Sequence, residues 1–236
     1  MVMQVFGPPE QWPGQDLIAF SDEFDLPMTL GAYCSGAFPM PLPEADFDAA
    51  TGWWSPMRRG VLELDDLRVT RSLLKSARRY TTTIDEAFDE VLARCADPRR
   101  PDGWIDEQIR QVFTEAHLRG VVHSVETWDS AGRLVGGLYG VSLFGLFAGE
   151  SMFHDPVLGR DASKVALARL VNQLRARLDG TALLDVQWQT PHLASLGVSE
   201  ISRDDYLTRL AAALDAPQTP WPPIRRPGDW QLEITA

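Results

Sequence analysis

Gly149-Glu150-Ser151-Met152-Phe153 closes a run of short apolar segments and stands just before a long amphipathic pattern. It sets one carboxylate, Glu150, between Leu146-Phe147-Ala148 and Met152-Phe153. An acid in such surroundings is costly to bury unless it has a partner or a task. Glu150 is therefore either solvated at an exposed strand end or held inside for a purpose. Upstream, Val122–Thr127 and Leu134–Tyr139 alternate as a hairpin across Asp129-Ser130-Ala131-Gly132, and Val141–Leu143 and Leu146–Ser151 extend the meander around Gly145. Downstream, Leu167, Leu170, Val171, Leu174 and Leu178 share an arc of about 100°, which predicts a helix over 162–178 with Asp161 as N-cap and Gly180 as its stop. A buried strand follows over 182–188. There, alternation puts Asp185 and Gln187 on one face, roughly 7 Å apart, with Leu184, Val186 and Trp188 on the other. A loop or turn over 191–196 and a helix over 203–214 complete the core. This order predicts an α+β fold, helices against a mixed, largely antiparallel sheet.

The chain has 236 residues, 44% of them hydrophobic, which suits one large domain or a small one beside a medium one. No apolar run approaches the roughly 18 residues of a membrane span, and no secretory pattern opens the sequence. Cys34 and Cys95 are far apart and read as reduced thiols of a cytoplasmic protein; the four histidines are scattered and form no zinc signature. A net charge of −11 argues against nucleic-acid binding over the whole surface. Residues 67–80, however, contain Arg68, Arg71, Lys75, Arg78 and Arg79 and no acid. On a continuous helix these five fall within an arc of about 100°, either a phosphate-binding stripe or a solvated face.

The N-terminal part reads as loops with a strand at 17–20, a short helix over 30–38 ended before Pro39, and a loop over 40–51. Trp53-Trp54 precede a proline, and adjacent strand residues point to opposite faces, one to a core and one to a cleft. A strand over 81–84, a helix over 85–95 capped by Asp85, a polar loop over 97–103 and a helix over 106–119 follow, with Trp104 at the end of that loop. The Pro-rich tail, 217–227, is expected to run extended along the surface.

Five blocks, Gly136-Gly137-Leu138-Tyr139-Gly140, Gly149 to Phe153, Ala162-Ser163-Lys164, Asp185-Val186-Gln187 and His192 to Gly197, occur in an order and spacing that resembles the leucyl/phenylalanyl-tRNA–protein transferases, over roughly residues 32–210. The resemblance implies a small N-terminal α/β domain (1–62) and a C-terminal domain (63–236) with the GNAT-like fold of GCN5-related acetyltransferases. It implies transfer of Leu, Phe or Met from aminoacyl-tRNA to the N-terminal Arg or Lys of an acceptor protein, marking it for degradation, by a cytoplasmic monomer with no cofactor, metal or membrane. Gln187, Asp185 and Glu150 match the catalytic positions. Leu138, Phe147, Met152, Leu167, Leu170 and Leu184 match the pocket for a side chain unbranched at Cβ. Trp104, with Trp53 and Trp54, is expected at the tRNA 3′ end, and the five basic residues at its phosphates.

Such a transfer asks little of the protein, because the ester is already activated. A Gln oxygen can accept a hydrogen bond from the attacking amine, and an Asp can polarise that amide; alternatively, both satisfy backbone groups at a strand end. Two departures stand out. Ser21-Asp22-Glu23-Phe24-Asp25-Leu26 replaces the family's Gly-Gly-Asp-Leu turn, and Met40 stands where the family has a tryptophan associated with the tRNA end. Two other readings remain: an acyl-coenzyme A N-acyltransferase, although the turn Gly159-Arg160-Asp161 has one glycine and an acid where phosphates would sit, and a non-catalytic aminoacyl-tRNA binder.

Overall fold

The computed structural model describes residues 6–42, 51–100, 104–178 and 180–221, and their fold is mixed α and β. Strand β1 (Leu17–Ser21) leads into helix α1 (Leu26–Ser35). This helix starts earlier than predicted because Asp25 accepts a hydrogen bond from the Met28 amide at 2.8 Å and Pro27 occupies the first turn, where its missing N–H is not needed. It ends at Gly36, whose left-handed φ of 93° turns the chain out. Phe38 and Pro39 therefore open strand β2 (Phe38–Pro41) instead of closing a helix. With β3 (Thr51–Trp54) these strands form a three-stranded antiparallel sheet in the order β1-β3-β2, which leaves the prolines of β2 on an edge. Most of the loop expected over 40–51 lies outside the described residues.

Strand β4 (Arg58–Leu62), whose last residue is the expected domain boundary, belongs to a second sheet. Helix α2 (Arg71–Ala77) is shorter than the basic helix predicted over 67–80, because the Thr70 side chain caps it at the Leu73 amide. Only Arg71 and Lys75 lie on it. Arg68 precedes the cap, Arg78 closes the helix and Arg79 sits in the following turn, so the single five-residue face does not form, although all five residues are exposed.

After β5 (Thr81–Ile84), Asp85 adopts a φ of 60°. It does not cap helix α3 (Phe88–Cys95), as predicted. Its carboxylate instead accepts from the Ser124 amide at 2.8 Å and faces His123 Nδ1 at 2.6 Å. Helix α4 (Glu107–Leu118) is capped by Asp106 as its sequence suggests.

Strands β6 (Val122–Trp128), β7 (Leu134–Leu143) and β8 (Leu146–His154) form the meander. β7 runs unbroken through Val141–Leu143, and β8 runs on to His154, so Gly149–Phe153 lies within a strand. Helix α5 (Ala162–Arg177) then crosses to β9 (Leu183–Asp185), followed by α6 (Pro191–Ser195), β10 (Ser199–Ser202) and α7 (Arg203–Leu214). Asp161 has a left-handed φ of 63° and does not cap α5; it pairs with Lys164 at 3.0 Å and accepts from Ser76 at 2.9 Å. The seven-stranded order is β10-β4-β9-β8-β7-β6-β5, antiparallel except for the β8–β9 pair joined by the α5 crossover.

Both faces of this sheet are covered, which is why all ten residues of β7 are buried. Leu138 packs with Leu167, Leu170 and Leu174 of α5, while its neighbour Tyr139 packs with Phe88, Ile109 and Phe113 of α3 and α4. Among the described residues no helix is long and apolar enough to cross a membrane. The described part of the C-terminal tail is anchored: Trp221 donates to Ser142 Oγ at 3.0 Å and stacks on His123 at 4.3 Å. Two glycines permit close approach. A Cβ at Gly136 would meet Ala162 Cβ at 2.5 Å under α5, and one at Gly140 would meet the Ala148 carbonyl at 2.3 Å. Gly140→Ala is expected to destabilise the protein by about 1–3 kcal/mol. Calorimetry should show a lower Tm by about 2–4 °C per kcal/mol; an unchanged Tm would show that β7 and β8 adjust freely.

Candidate functional site

The β7–β8 register decides where Glu150 sits. Tyr139 faces Ser151 and Gly140 faces Gly149, so Glu150 is an extra residue, a β-bulge. Bulges re-aim a side chain and end regular pairing. On the other side β8 pairs with β9 only as far as Ala148 and Asp185, after which the two strands part. The chain leaves β9 through Gln187, which has a left-handed φ of 61°. The alternation predicted through Trp188 therefore stops at Asp185, and Asp185 and Gln187 do not share a strand face.

A cavity of about 120 Å³ opens where the strands part. Five of the six predicted pocket residues, Leu138, Met152, Leu167, Leu170 and Leu184, line it. The sixth, Phe147, does not: it is fully buried, and its ring packs toward Trp221 at 5.8 Å. Val186 and Leu193 add to the apolar wall. Neither was foreseen as lining, since the turn after Asp185 and the seating of α6 are tertiary results.

Glu150 and Gln187 are the polar end of this cavity. Gln187 Nε2 donates to Glu150 Oε1 at 3.0 Å, which leaves Gln187 Oε1 to accept. Burial pushes the Glu150 carboxyl up to about 8, the nearby Tyr33 and Arg59 pull it down, and Asp185 adds to the rise. The Tyr33 and Tyr139 hydroxyls are held well above their usual range, first by burial and then by the Glu150 charge.

Asp185 is fully buried and does not line the cavity. Arg59, 1% exposed, grips it with two bonds, Nε to Oδ1 at 2.8 Å and Nη2 to Oδ2 at 2.6 Å. Tyr206 donates to Oδ2 at 2.9 Å and the Gln187 amide to Oδ1 at 2.9 Å. Burial pulls the Arg59 guanidinium down, Asp185 more than offsets this, and its pKa is raised. Arg59 and Tyr206 were not picked out from sequence. The available signal was complementary: the pair Arg58-Arg59 just before apolar Val61-Leu62 and one anion between Leu184 and Val186, which would need a buried partner if it were drawn inside.

None of the three predicted tryptophans lines the cavity. Trp53 is fully buried and donates to Ser21 Oγ at 2.9 Å, so it offers no ring face to a base, contrary to expectation. Trp54 is half-buried, edge-on to Trp188 at 5.7 Å, and Trp104 is half-buried against the α3–α4 core. Leu193 at the cavity wall lies on α6 between His192 and Ala194. Burial, then Lys164 and His154, hold the neighbouring His192 below its ordinary pKa, and Arg68 reaches the Ala194 carbonyl at 3.4 Å. Among the described residues no group of three or more His, Cys, Asp or Glu stands where it could hold a metal ion. What this geometry offers is a slot for a modest apolar side chain, ending in a carboxyl and an amide able to handle an amine.

Residues 61–211 match the family model described as leucyl/phenylalanyl-tRNA protein transferase. A protein of Rhizorhabdus wittichii bearing that name is 50% identical over 196 residues, covering 80% of this chain and 75% of its own. Counterparts of the same name from a Ruegeria species and from Rubrobacter xylanophilus are 49% and 46% identical, covering 80% and 77% of this chain and 87% and 91% of theirs. A solved structure, L-PGS from Bacillus licheniformis, aligns with a TM-score of 0.37 and 10% identity over 75% of this chain and 57% of that one, too distant to bear on the fold. The bulge, the cavity and Gln187 all lie inside the matched span, and the chain belongs to the leucyl/phenylalanyl-tRNA–protein transferase family.

Proposed function

We propose that the protein transfers Leu, Phe or Met from aminoacyl-tRNA to the N-terminal Arg or Lys of an acceptor protein. The observation that carries this reading is the apolar cavity closed by the hydrogen-bonded Glu150–Gln187 pair. The donor's side chain occupies the cavity, where Met152 adapts to more than one shape. Its ester carbonyl lies near Gln187. The neutral acceptor amine attacks that carbonyl and donates one N–H to Gln187 Oε1. As the new C–N bond forms, the ionised Glu150 takes the proton the amine sheds. It then returns that proton to the departing ribose 3′-oxygen as the ester C–O bond breaks. A carboxyl held at about 8 is ionised in roughly a tenth of molecules at pH 7, which supplies the base, and once protonated it serves as the acid. Asp185, enclosed by Arg59, acts on Gln187 and not on the substrate.

The same reading assigns Arg68, Arg71, Lys75, Arg78 and Arg79 to tRNA phosphates, with Trp104 and Trp54 near the 3′ end. It takes the protein as a cytoplasmic monomer whose product is marked for degradation. It divides the chain into a small N-terminal unit, 1–62, and a GNAT-like unit, 63–236.

Radiolabelled leucyl-tRNA should label a model protein beginning with Arg and leave one beginning with Ala unlabelled. Gln187→Ala should fold normally and lose about 10²-fold in rate; label on neither acceptor, with leucyl-tRNA bound, would contradict transfer.

Glu150 also makes stability depend on pH. Its folded pKa lies above that of a free carboxyl, so from about pH 4.5 to about 8 the folded protein holds a proton the unfolded chain has released. Stability is full below that window and falls as pH rises through it, by on the order of 3–5 kcal/mol. Glu150→Gln should lack this slope and melt about 10 °C above the parent at pH 8.5, with little difference at pH 4. Equal Tm values at pH 8.5 would place Glu150 in water.

A further inference from the structure

We propose that Arg59 is a positioning residue for transfer: through Asp185 it sets the left-handed backbone of Gln187 and so aims the Gln187 amide into the cavity. The proposal rests on the reading of Gln187 as the group that meets the amine.

A left-handed conformation is unfavourable for a residue with a side chain, by about 1–2 kcal/mol, so something must hold Gln187 at its φ of 61°. Two adjacent residues of β4 do this. Gly60 holds the carbonyl side: its amide donates to Gln187 O at 2.7 Å and its carbonyl accepts from Val186 N at 3.0 Å. A Cβ at Gly60 would lie 3.0 Å from Gln189 N and 3.1 Å from the Trp188 carbonyl carbon, so the strand and the turn touch directly. Arg59 holds the amide side, because Asp185 Oδ1 accepts both Arg59 Nε and the Gln187 N–H. An aspartate that bonds the amide two residues on closes a local turn, and here Arg59 holds the carboxylate that does so.

Arg59 is itself fixed from every direction. Its Nη1 donates to the Gly36 carbonyl at 3.3 Å at the end of α1, its Nη2 lies 3.3 Å from the Tyr206 hydroxyl, and the Phe38 and Tyr206 rings cover it at 4.7 and 4.3 Å. The bidentate grip defines the carboxylate plane, and that plane defines where the Gln187 N–H points.

The test is a double-mutant cycle on single-turnover transfer from leucyl-tRNA, with Tm recorded for each protein. Arg59→Lys keeps the charge and loses the fork. Should it not fold, Tyr206→Phe removes one hydrogen bond to Asp185 Oδ2 and keeps the ring beside Arg59. Expected is a rate lowered about 10- to 100-fold in Arg59→Lys, and less in Tyr206→Phe, with KM for leucyl-tRNA unchanged within about twofold. In a Gln187→Ala background, neither substitution should lower the rate further. Losses that add in that background, or a change in KM alone, would overturn the positioning role while leaving Gln187 in place. Parental activity in Gln187→Ala alone would overturn the reading of Gln187 and this proposal with it.

Discussion

The ion pair between Arg59 and Asp185 constrains much of what surrounds it. Two charges almost wholly out of water are tolerated only when paired and hydrogen-bonded, and removing one partner of such a pair costs about 3–5 kcal/mol. Satisfying them draws four segments to one point: β4 through Arg59, β9 through Asp185, the end of α1 through the Gly36 carbonyl, and α7 through Tyr206. The three-stranded sheet and the seven-stranded sheet meet here, with Phe38 of β2 against the guanidinium. Because Asp185 is anchored inward, β9 stops there and separates from β8, and the cavity occupies the opening.

Glu150 is the counterpart on β8. A regular strand would have continued the pairing of β7 and β8, whereas the bulge inserts one residue and turns its carboxyl to the gap. The opposing Gly140 leaves room for this, since its missing Cβ is where the Ala148 carbonyl and the Phe147 ring approach. Of the two buried carboxylates beside the cavity, Asp185 is saturated with donors, while Glu150 has an amide hydrogen bond from Gln187, the Tyr33 hydroxyl nearby and a raised pKa. The first holds the Gln187 amide, and the second is the group that exchanges a proton in the proposed mechanism. Two acids in adjacent strands thus meet very different surroundings.

The parts of the fold legible in the sequence were the long periodic ones. The hairpin around Gly132, the Leu167–Leu174 face of α5 and the Arg203–Leu214 helix follow from periodicities that tertiary contacts reinforce. Short segments went astray where a single local interaction outweighed the pattern. Thr70 cut the basic helix, Asp25 moved the start of α1, and Asp85 turned from capping to bonding Ser124 and His123. The apolar lining of the site was readable because pocket and core use the same residues. Phe147 shows the weakness of that signal, since an aromatic one strand position from the gap packs elsewhere. Trp53 failed for the opposite reason: alternation allows one of two neighbours to be buried without saying which. Arg59 carried no motif of its own, and only the fold reveals that it and Asp185, 126 residues apart, share a site.

The central claim is that the cavity beside Glu150 and Gln187 holds the side chain of the transferred amino acid. Leu170 lines that cavity and is buried under α5. The most direct measurement is the ratio of kcat/KM for phenylalanyl-tRNA to that for leucyl-tRNA, in the parent and in Leu170→Ala. Enlarging an apolar pocket by several methylene groups should move the ratio toward the larger donor by about 10-fold or more. A ratio that stays the same, in a variant that folds and transfers, would mean that the donor side chain lies elsewhere.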